Sequence, residues 1–196
     1  MPNHLIHWKT QVDQLPTAVA EFEKWLFVSV ASVLFGGKAG ELLTLPTYQF
    51  GLSTGERLAR VALLADLWGV SHRLMHQTAA STKVIIYDEG AVHDVLMRVS
   101  LCIFTCELNY AHGRKPAEFL AEVARRWQER DMIPHEIGLS LGYPIKDVLG
   151  FMGVLPLHCT GCCGWRIYGD PAASLAMSRA FTAANHRAIR FLHAQA

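Results

Sequence analysis

The chain has 196 residues, with 18 lysine and arginine residues against 17 aspartate and glutamate residues, and a formal net charge of +1 at pH 7. This balance provides no strong field for phosphates and disfavours nucleic acid as a partner. Hydrophobic residues make up 51% of the chain. We therefore expect a single domain over residues 1–196 with a sizeable core, and residues 1–14 are a candidate for a loosely ordered N-terminal arm.

The hydropathy pattern argues against a membrane span. The longest strongly apolar stretch, Trp25 to Phe35, has 11 residues, whereas a helix that crosses a bilayer needs about 20. The N-terminal residues also lack a basic segment followed by an apolar run, so a cytoplasmic location is the default expectation. Five cysteines, an odd number, then favour free thiols or thiolate ligands over a disulfide framework.

The first part of the chain predicts two helices and, between them, one segment that is either a strand or a loop. Pro16 is suited to begin a helix that ends at Gly36-Gly37. Residues 42–45 form either a short strand or an apolar loop. The capping box Ser53-Thr-Gly-Glu56 begins a second helix, whose apolar period continues toward His76.

A strand and three helices are predicted next. Residues 82–87 are rich in β-branched side chains and form the clearest strand of the chain. Helices are expected at 91–108, at 116–130 and at 171–193, the last capped by Asp170.

Helices therefore dominate the prediction. Residues 83–87, 165–168 and, as a further candidate, 42–45 would form a small sheet covered by helices. The fold class predicted is α+β, a mostly helical single domain.

The segment from Pro134 to Met152 has the punctuation of two short helices joined by a tight turn. Pro134 fits the first helical turn, Gly142 can end that helix in the left-handed conformation, and Pro144 can start the next helix. A DNA-reading helix-turn-helix has this outline. The second helix carries only Lys146 and Asp147 as charged groups, however, which disfavours contact with phosphates.

The sequence HEIGLSLGYPIKDVLGF at residues 135–151 resembles the signature of a bacterial family catalogued as domain of unknown function 3793. The likeness includes Trp165-Arg-Ile-Tyr168, residues 34–43 and the strand-like residues 83–87. Cys162-Cys163-Gly164 departs from the family pattern. The resemblance implies a soluble protein of mostly anaerobic bacteria, a family without an agreed activity, and it transfers no catalytic role.

The cysteines carry the sharpest chemical hypothesis. Cys159, Cys162, Cys163 and the neighbouring His158 form a group of soft ligands that zinc or an iron–sulfur cluster prefers. Cys102 and Cys106 are four residues apart on a predicted helix and could supply further ligands. Alternatively, these two residues are small buried side chains, and the 158–163 segment is a loop with reactive thiols.

His72 and His76 have a second metal-like spacing. On a helix their imidazoles would share one face and could bind a metal ion or the edge of a haem, although haem is the less favoured cofactor. The favoured alternative is that both satisfy the last carbonyls of a helix.

His135 and Glu136 are the best acid–base candidates, and Lys38 lies in a family-like segment. Adjacent helical residues diverge by about 100°, so the two side chains need not face one site. Structural roles for both are the favoured alternative.

Three functional hypotheses remain. The first is a metal-handling, cluster-handling or haem-handling role through residues 158–163. The second is an enzyme for a small metabolite that uses His135, Glu136 and Lys38. The third is an interaction scaffold with a protein partner or a second copy of the chain.

Overall fold

The computed structural model describes residues 3–45, 49–110 and 114–194, and helices dominate these residues. A small sheet accompanies them, so the predicted α+β class is confirmed. In chain order the elements are α1 (Asn3–Val12), α2 (Thr17–Ser29), α3 (Ala31–Gly36), β1 (Gly40–Leu45), α4 (Thr54–Trp68), β2 (Ser71–Gln77), β3 (Thr82–Tyr87), α5 (Glu89–Arg98), a π-helix (Ile103–Glu107), α6 (Pro116–Arg130), α7 (Ile137–Ser140), α8 (Ile145–Phe151), β4 (Cys159–Cys162), β5 (Arg166–Tyr168) and α9 (Ala172–His193).

The main sheet is antiparallel, with the strand order β1-β3-β2. Its central strand is buried on both faces. Val84 and Ile86 belong to one apolar cluster, together with residues of α1, α2 and α4, and Ile85 belongs to a second cluster with residues of α5 to α8. Alternate side chains of a strand point to opposite faces, so the sheet separates two cores and helices cover both sides.

The N-terminal residues contribute to the first core. Leu5, Trp8 and Val12 of α1 are buried, and the indole nitrogen of Trp8 donates a hydrogen bond of 2.8 Å to Glu23 of α2. Residues 3–12 are thus a packed helix in the segment that the sequence suggested as a loosely ordered arm.

The predicted helix from Ser53 is shorter than expected. Its capping box is confirmed, but α4 ends at Trp68 because Gly69 takes the left-handed conformation with φ 71°. Residues 71–77 then form strand β2. The prediction of a helix as far as His76 was wrong, because Leu74 and Met75 continue a helical period in the sequence after the backbone has already turned at Gly69.

Two further predictions need correction. Residues 166–168 do not join the main sheet but pair with β4 in a separate two-stranded hairpin. The predicted helix over 91–108 is interrupted: α5 ends at Arg98, Val99 is extended with ψ 132°, and the chain continues into the π-helix.

The predicted break within the segment from Pro134 to Met152 is confirmed. Helices α7 and α8 are separated at Gly142, whose φ is 73°.

In the part of the chain that the structure describes, no helix is both long and apolar enough to cross a bilayer.

Two glycines bring the α7–α8 turn against the start of β1. A Cβ atom at Gly142 would lie 2.8 Å from the backbone nitrogen of Ala39, and a Cβ atom at Gly40 would lie 2.6 Å from the carbonyl oxygen of Ser140. Backbone meets backbone at this crossing, so neither position has room for a side chain. The crossing fixes the turn against the main sheet.

We expect Gly142→Ala to destabilise the protein more than Gly37→Ala does. Gly37 has a similar φ of 66°, but a Cβ atom added there would meet nothing within 4 Å, whereas one at Gly142 would meet Ala39. The left-handed conformation alone costs about 1–2 kcal/mol for a residue other than glycine. Denaturant unfolding should show this cost for Gly37→Ala and a clearly larger one for Gly142→Ala. Equal costs would contradict the close backbone crossing.

Candidate functional site

A cavity of about 250 Å³ opens between the α7–α8 turn and the β4–β5 hairpin. Its walls are mostly apolar. The aliphatic lining comes from Ile133, Ile137, Leu141 and Val148, and the ring of Phe151 lies at the opening, where 42% of that residue is exposed. The 135–151 segment singled out in the sequence thus builds most of this cavity.

An aromatic pair forms a further wall. The rings of Tyr143 and Trp165 are stacked, with centroids 4.6 Å apart and an interplanar angle of 19°. Both residues also line a second cavity of about 190 Å³, which contains Lys38 and the polar side chains of Ser178 and Asn185. The stacked pair therefore lies between the apolar cavity and the more polar one.

Two nitrogen-bearing side chains flank Phe151. The His135 ring meets the Phe151 ring edge-on at 4.8 Å. The Arg166 guanidinium carbon lies 5.7 Å from the centroid of the same ring. Both side chains are exposed and both line the cavity, so its opening presents an imidazole and a guanidinium beside an aromatic ring.

The carboxylate of Asp147 holds the cavity together. It accepts hydrogen bonds from the Trp165 indole nitrogen at 2.9 Å, from the Tyr168 backbone nitrogen at 2.8 Å and from the Ser174 hydroxyl at 2.6 Å. Lys146 adds an ion pair at 2.6 Å. Asp147 is only 2% exposed, so one buried side chain of α8 connects the β4–β5 hairpin and α9.

These contacts set the charge of Asp147. Burial alone raises the pKa of a carboxyl group, but hydrogen bonds from Lys146, Ser174, Tyr168 and Trp165 outweigh it and hold the pKa of Asp147 below its usual value. The aspartate is therefore an ionised structural group whose oxygens are already occupied.

The three predicted catalytic residues do not converge. His135 lines the apolar cavity, whereas Lys38 lies beyond the aromatic wall and forms an ion pair of 2.8 Å with Glu41. Glu136 is buried in a different network. The sequence hypothesis required a pocket in which His135, Glu136 and Lys38 meet, and the structure places them in separate environments.

Glu136 belongs to a buried network between α6 and α7. It accepts a hydrogen bond of 3.1 Å from the Tyr110 hydroxyl and one of 3.0 Å from the Arg126 guanidinium. Burial first, and then the negative charge of Glu136, raise the pKa of Tyr110. The phenol of Tyr110 is therefore a neutral donor. The buried Glu136 has both of these partners satisfied, which is typical of a structural network and not of an exposed acid–base site.

Among the described residues, the cysteine and histidine side chains of the 158–163 segment are not gathered into a group of three or more metal ligands. The thiol of Cys159 contacts the Gly161 carbonyl at 3.6 Å, and the thiol of Cys163 contacts the Ser174 carbonyl at 3.8 Å. Across residues 3–45, 49–110 and 114–194, no group of three or more histidine, cysteine, aspartate or glutamate side chains is arranged to hold a metal ion. The geometry gives the zinc, cluster and haem hypotheses no support.

Cys102 and Cys106 also differ from expectation, because both are exposed rather than buried. They therefore do not pack in a core, and they do not complete a larger ligand group with Cys159, Cys162 or His158.

His72 and His76 lie on a strand, so the helical ligand spacing was wrong. A register shift between Leu74 and His76 places His72 opposite Ile86 and His76 opposite Lys83, on different faces of the sheet. His76 is buried, stacks on Trp127 at 5.2 Å, and lies 3.2 Å from Asp131. The two imidazoles cannot share one ion.

The family model described as "Protein of unknown function (DUF3793)" matches residues 26–196. The chain belongs to this family. The match includes every residue of the apolar cavity, and it confirms the resemblance carried by the 135–151 segment. No curated protein and no solved structure matches this DUF3793 chain.

Two features of the DUF3793 cavity have no signal in the sequence. Arg166 and Phe151 were not candidates, because the exposed arginine meets the aromatic ring only after the hairpin folds against α8. Asp147 is visible in the sequence as a charged residue, but its four donors are 1, 18, 21 and 27 residues away in the chain. No local pattern marks such a group.

We expect Asp147→Asn to destabilise the protein by on the order of 3 kcal/mol, because a neutral amide cannot accept from all these donors and leaves Lys146 without a carboxylate partner. Asp88→Asn is the matched control. Asp88 caps α5 by accepting a hydrogen bond from the Ala91 nitrogen, a role that asparagine fills about equally well. Urea unfolding at neutral pH measures both variants, and similar costs would contradict the Asp147 assignment.

The pH dependence provides an independent test. Because the pKa of Asp147 is lowered in the folded state, its stabilising contribution is present above the ordinary carboxyl pKa and is lost as the pH falls through the folded value. Asp147→Asn should therefore show a smaller loss of unfolding free energy on acidification than the parent chain. If the unfolding free energy had the same dependence on pH in both proteins, the lowered pKa of Asp147 would be contradicted.

Proposed function

We propose that the apolar cavity binds a small organic acid with a planar, apolar body. The observation that carries this proposal is the combination of apolar walls with Arg166 and His135 on either side of Phe151. The ring of the ligand would enter the apolar chamber, and its carboxylate would remain at the opening.

The size of the cavity limits the ligand. About 250 Å³ is available, and a dry apolar cavity of about 150 Å³ already admits benzene. A single ring with a short side chain therefore fits, whereas a dinucleotide does not. The flat Tyr143–Trp165 wall also suits a planar group, because aromatic rings pack favourably in offset or edge-on arrangements.

The charge of the opening favours an anion. Asp147 is the acidic residue of the lining, and its carboxylate is already occupied by four donors. Arg166 contacts the face of Phe151 and has no carboxylate partner among the described residues. A guanidinium group binds a carboxylate through two parallel hydrogen bonds, so Arg166 is the group that we assign to the acid.

The helix-turn-helix outline does not serve as a nucleic-acid reader in this proposal. Lys146 of α8 is turned inward, where it donates to Asp147 and, at 2.7 Å, to the Tyr168 carbonyl oxygen. Asp147 is buried. The second helix thus has no free charged group to offer a phosphate, and its function is to form the cavity wall.

The test uses 3-phenylpropanoate and its neutral analogue 3-phenylpropanamide as probes in isothermal titration calorimetry. We expect the acid to bind more tightly than the amide. Arg166→Gln should weaken acid binding by about tenfold or more and leave amide binding nearly unchanged, because one charge-assisted interaction is worth about 1.5–3 kcal/mol.

Arg179→Gln is the matched control, since Arg179 is an exposed arginine of α9 that does not line the cavity. This variant should bind both probes as the parent chain does. The proposal is overturned if neither probe binds, if the acid has no advantage over the amide, or if both arginine variants behave alike.

A further inference from the structure

Cys102 and Cys106 form a pair of neighbouring thiols on the surface. They lie four residues apart in the helical segment that leads into and through the π-helix, and both are exposed. Residues at this spacing share one helical face. Neither cysteine lines the cavity of the proposed function, so the pair is a separate feature of the molecule.

The Cys106 thiol acts on the Cys102 thiol. As a hydrogen-bonding neighbour, Cys106 is the largest cause that raises the pKa of Cys102, and the charge of Glu107 acts in the same direction. The Thr105 hydroxyl lies 3.6 Å from the sulfur of Cys106. Both thiols are exposed, so the pair lies in a polar and accessible setting.

The helical spacing argues against a disulfide as the natural product of this pair. Cβ atoms of helical residues four apart are separated by about 5–6 Å, whereas a disulfide needs about 3.5–4.5 Å. A raised pKa also reduces the thiolate fraction on which thiol–disulfide exchange depends. An atom that bonds to both sulfurs can span this larger separation, so the helix does not have to be distorted to bring the sulfurs into direct contact.

The number of available protein ligands indicates which atom could bridge the two sulfurs. A structural zinc site needs about four ligands, and no third histidine, cysteine, aspartate or glutamate joins the pair among the residues that the structure describes. We propose that Cys102 and Cys106 form a two-sulfur site for trivalent arsenic compounds, which accept two sulfur ligands and keep their third substituent.

The reaction balances without an oxidant. When an arsenic oxide, R–As=O, meets the two thiols, two As–S bonds form, both S–H bonds break, and the arsenic-bound oxygen leaves with the two protons as water. The arsenic stays trivalent and the sulfurs are not oxidised.

The test uses phenylarsine oxide with the full, reduced chain and follows intact mass and the number of titratable thiols. We expect one adduct that removes two thiols. The adduct should resist a wash with glutathione, a monothiol, and should be released by 2,3-dimercaptopropanol, a dithiol. Two covalent attachments raise the effective local concentration of the second thiol, so retention should exceed that of a single attachment by about 100-fold.

The matched variants are Cys102→Ser, Cys106→Ser and the double variant Cys159→Ser/Cys162→Ser. Each single variant should lose the wash-resistant adduct, and circular dichroism should show that it remains folded, because the altered side chain is exposed. The double variant should retain the adduct, although Cys159 and Cys162 are also exposed. Absence of an adduct in the parent chain, or its loss only in the double variant, would overturn the proposal.

Discussion

The buried carboxylate of Asp147 is the interaction on which the cavity depends. Its partners Trp165, Tyr168 and Ser174 belong to the β4–β5 hairpin and to α9, while Lys146 comes from its own helix. A buried anion is costly unless it is paired and hydrogen-bonded, and here both conditions are met. The same bonds that stabilise the charge therefore place the indole of Trp165 against Tyr143 and give the cavity its flat wall.

The main sheet supplies the rigid support for this arrangement. Its central strand is covered on both faces, and the glycine crossing of Gly40 and Gly142 holds the α7–α8 turn directly against β1. A second close approach occurs at Gly150, where a Cβ atom would lie 2.7 Å from the Tyr168 side chain. The cavity is thus formed by elements whose separations are fixed by close contact, which favours a preorganised binding site.

The sequence predicted helix boundaries correctly where these boundaries depend on interactions between neighbouring residues. The capping box at Ser53, the start of α6 at Pro116 and the break at Gly142 depend on neighbouring residues, and the structure confirms them. The path after Gly69 and the partner of β5 depend on tertiary pairing, so the helical period through His76 and the single sheet were wrong. The cavity joins residues of the 133–151 segment to the β4–β5 hairpin, and periodicity cannot reveal such a tertiary contact.

The link between the Asp147 network and the cavity is tested by following the indole N–H signals of the five tryptophans by NMR during a titration with 3-phenylpropanoate. Trp165 donates to buried Asp147 and lines the cavity, whereas Trp8 donates to Glu23 in the other core. We expect the Trp165 signal to be protected from solvent exchange in the free protein and to shift as the probe binds, while the Trp8 signal does not shift. Rapid exchange of the Trp165 indole proton, or a probe that shifts Trp8 and leaves Trp165 unchanged, would contradict this link.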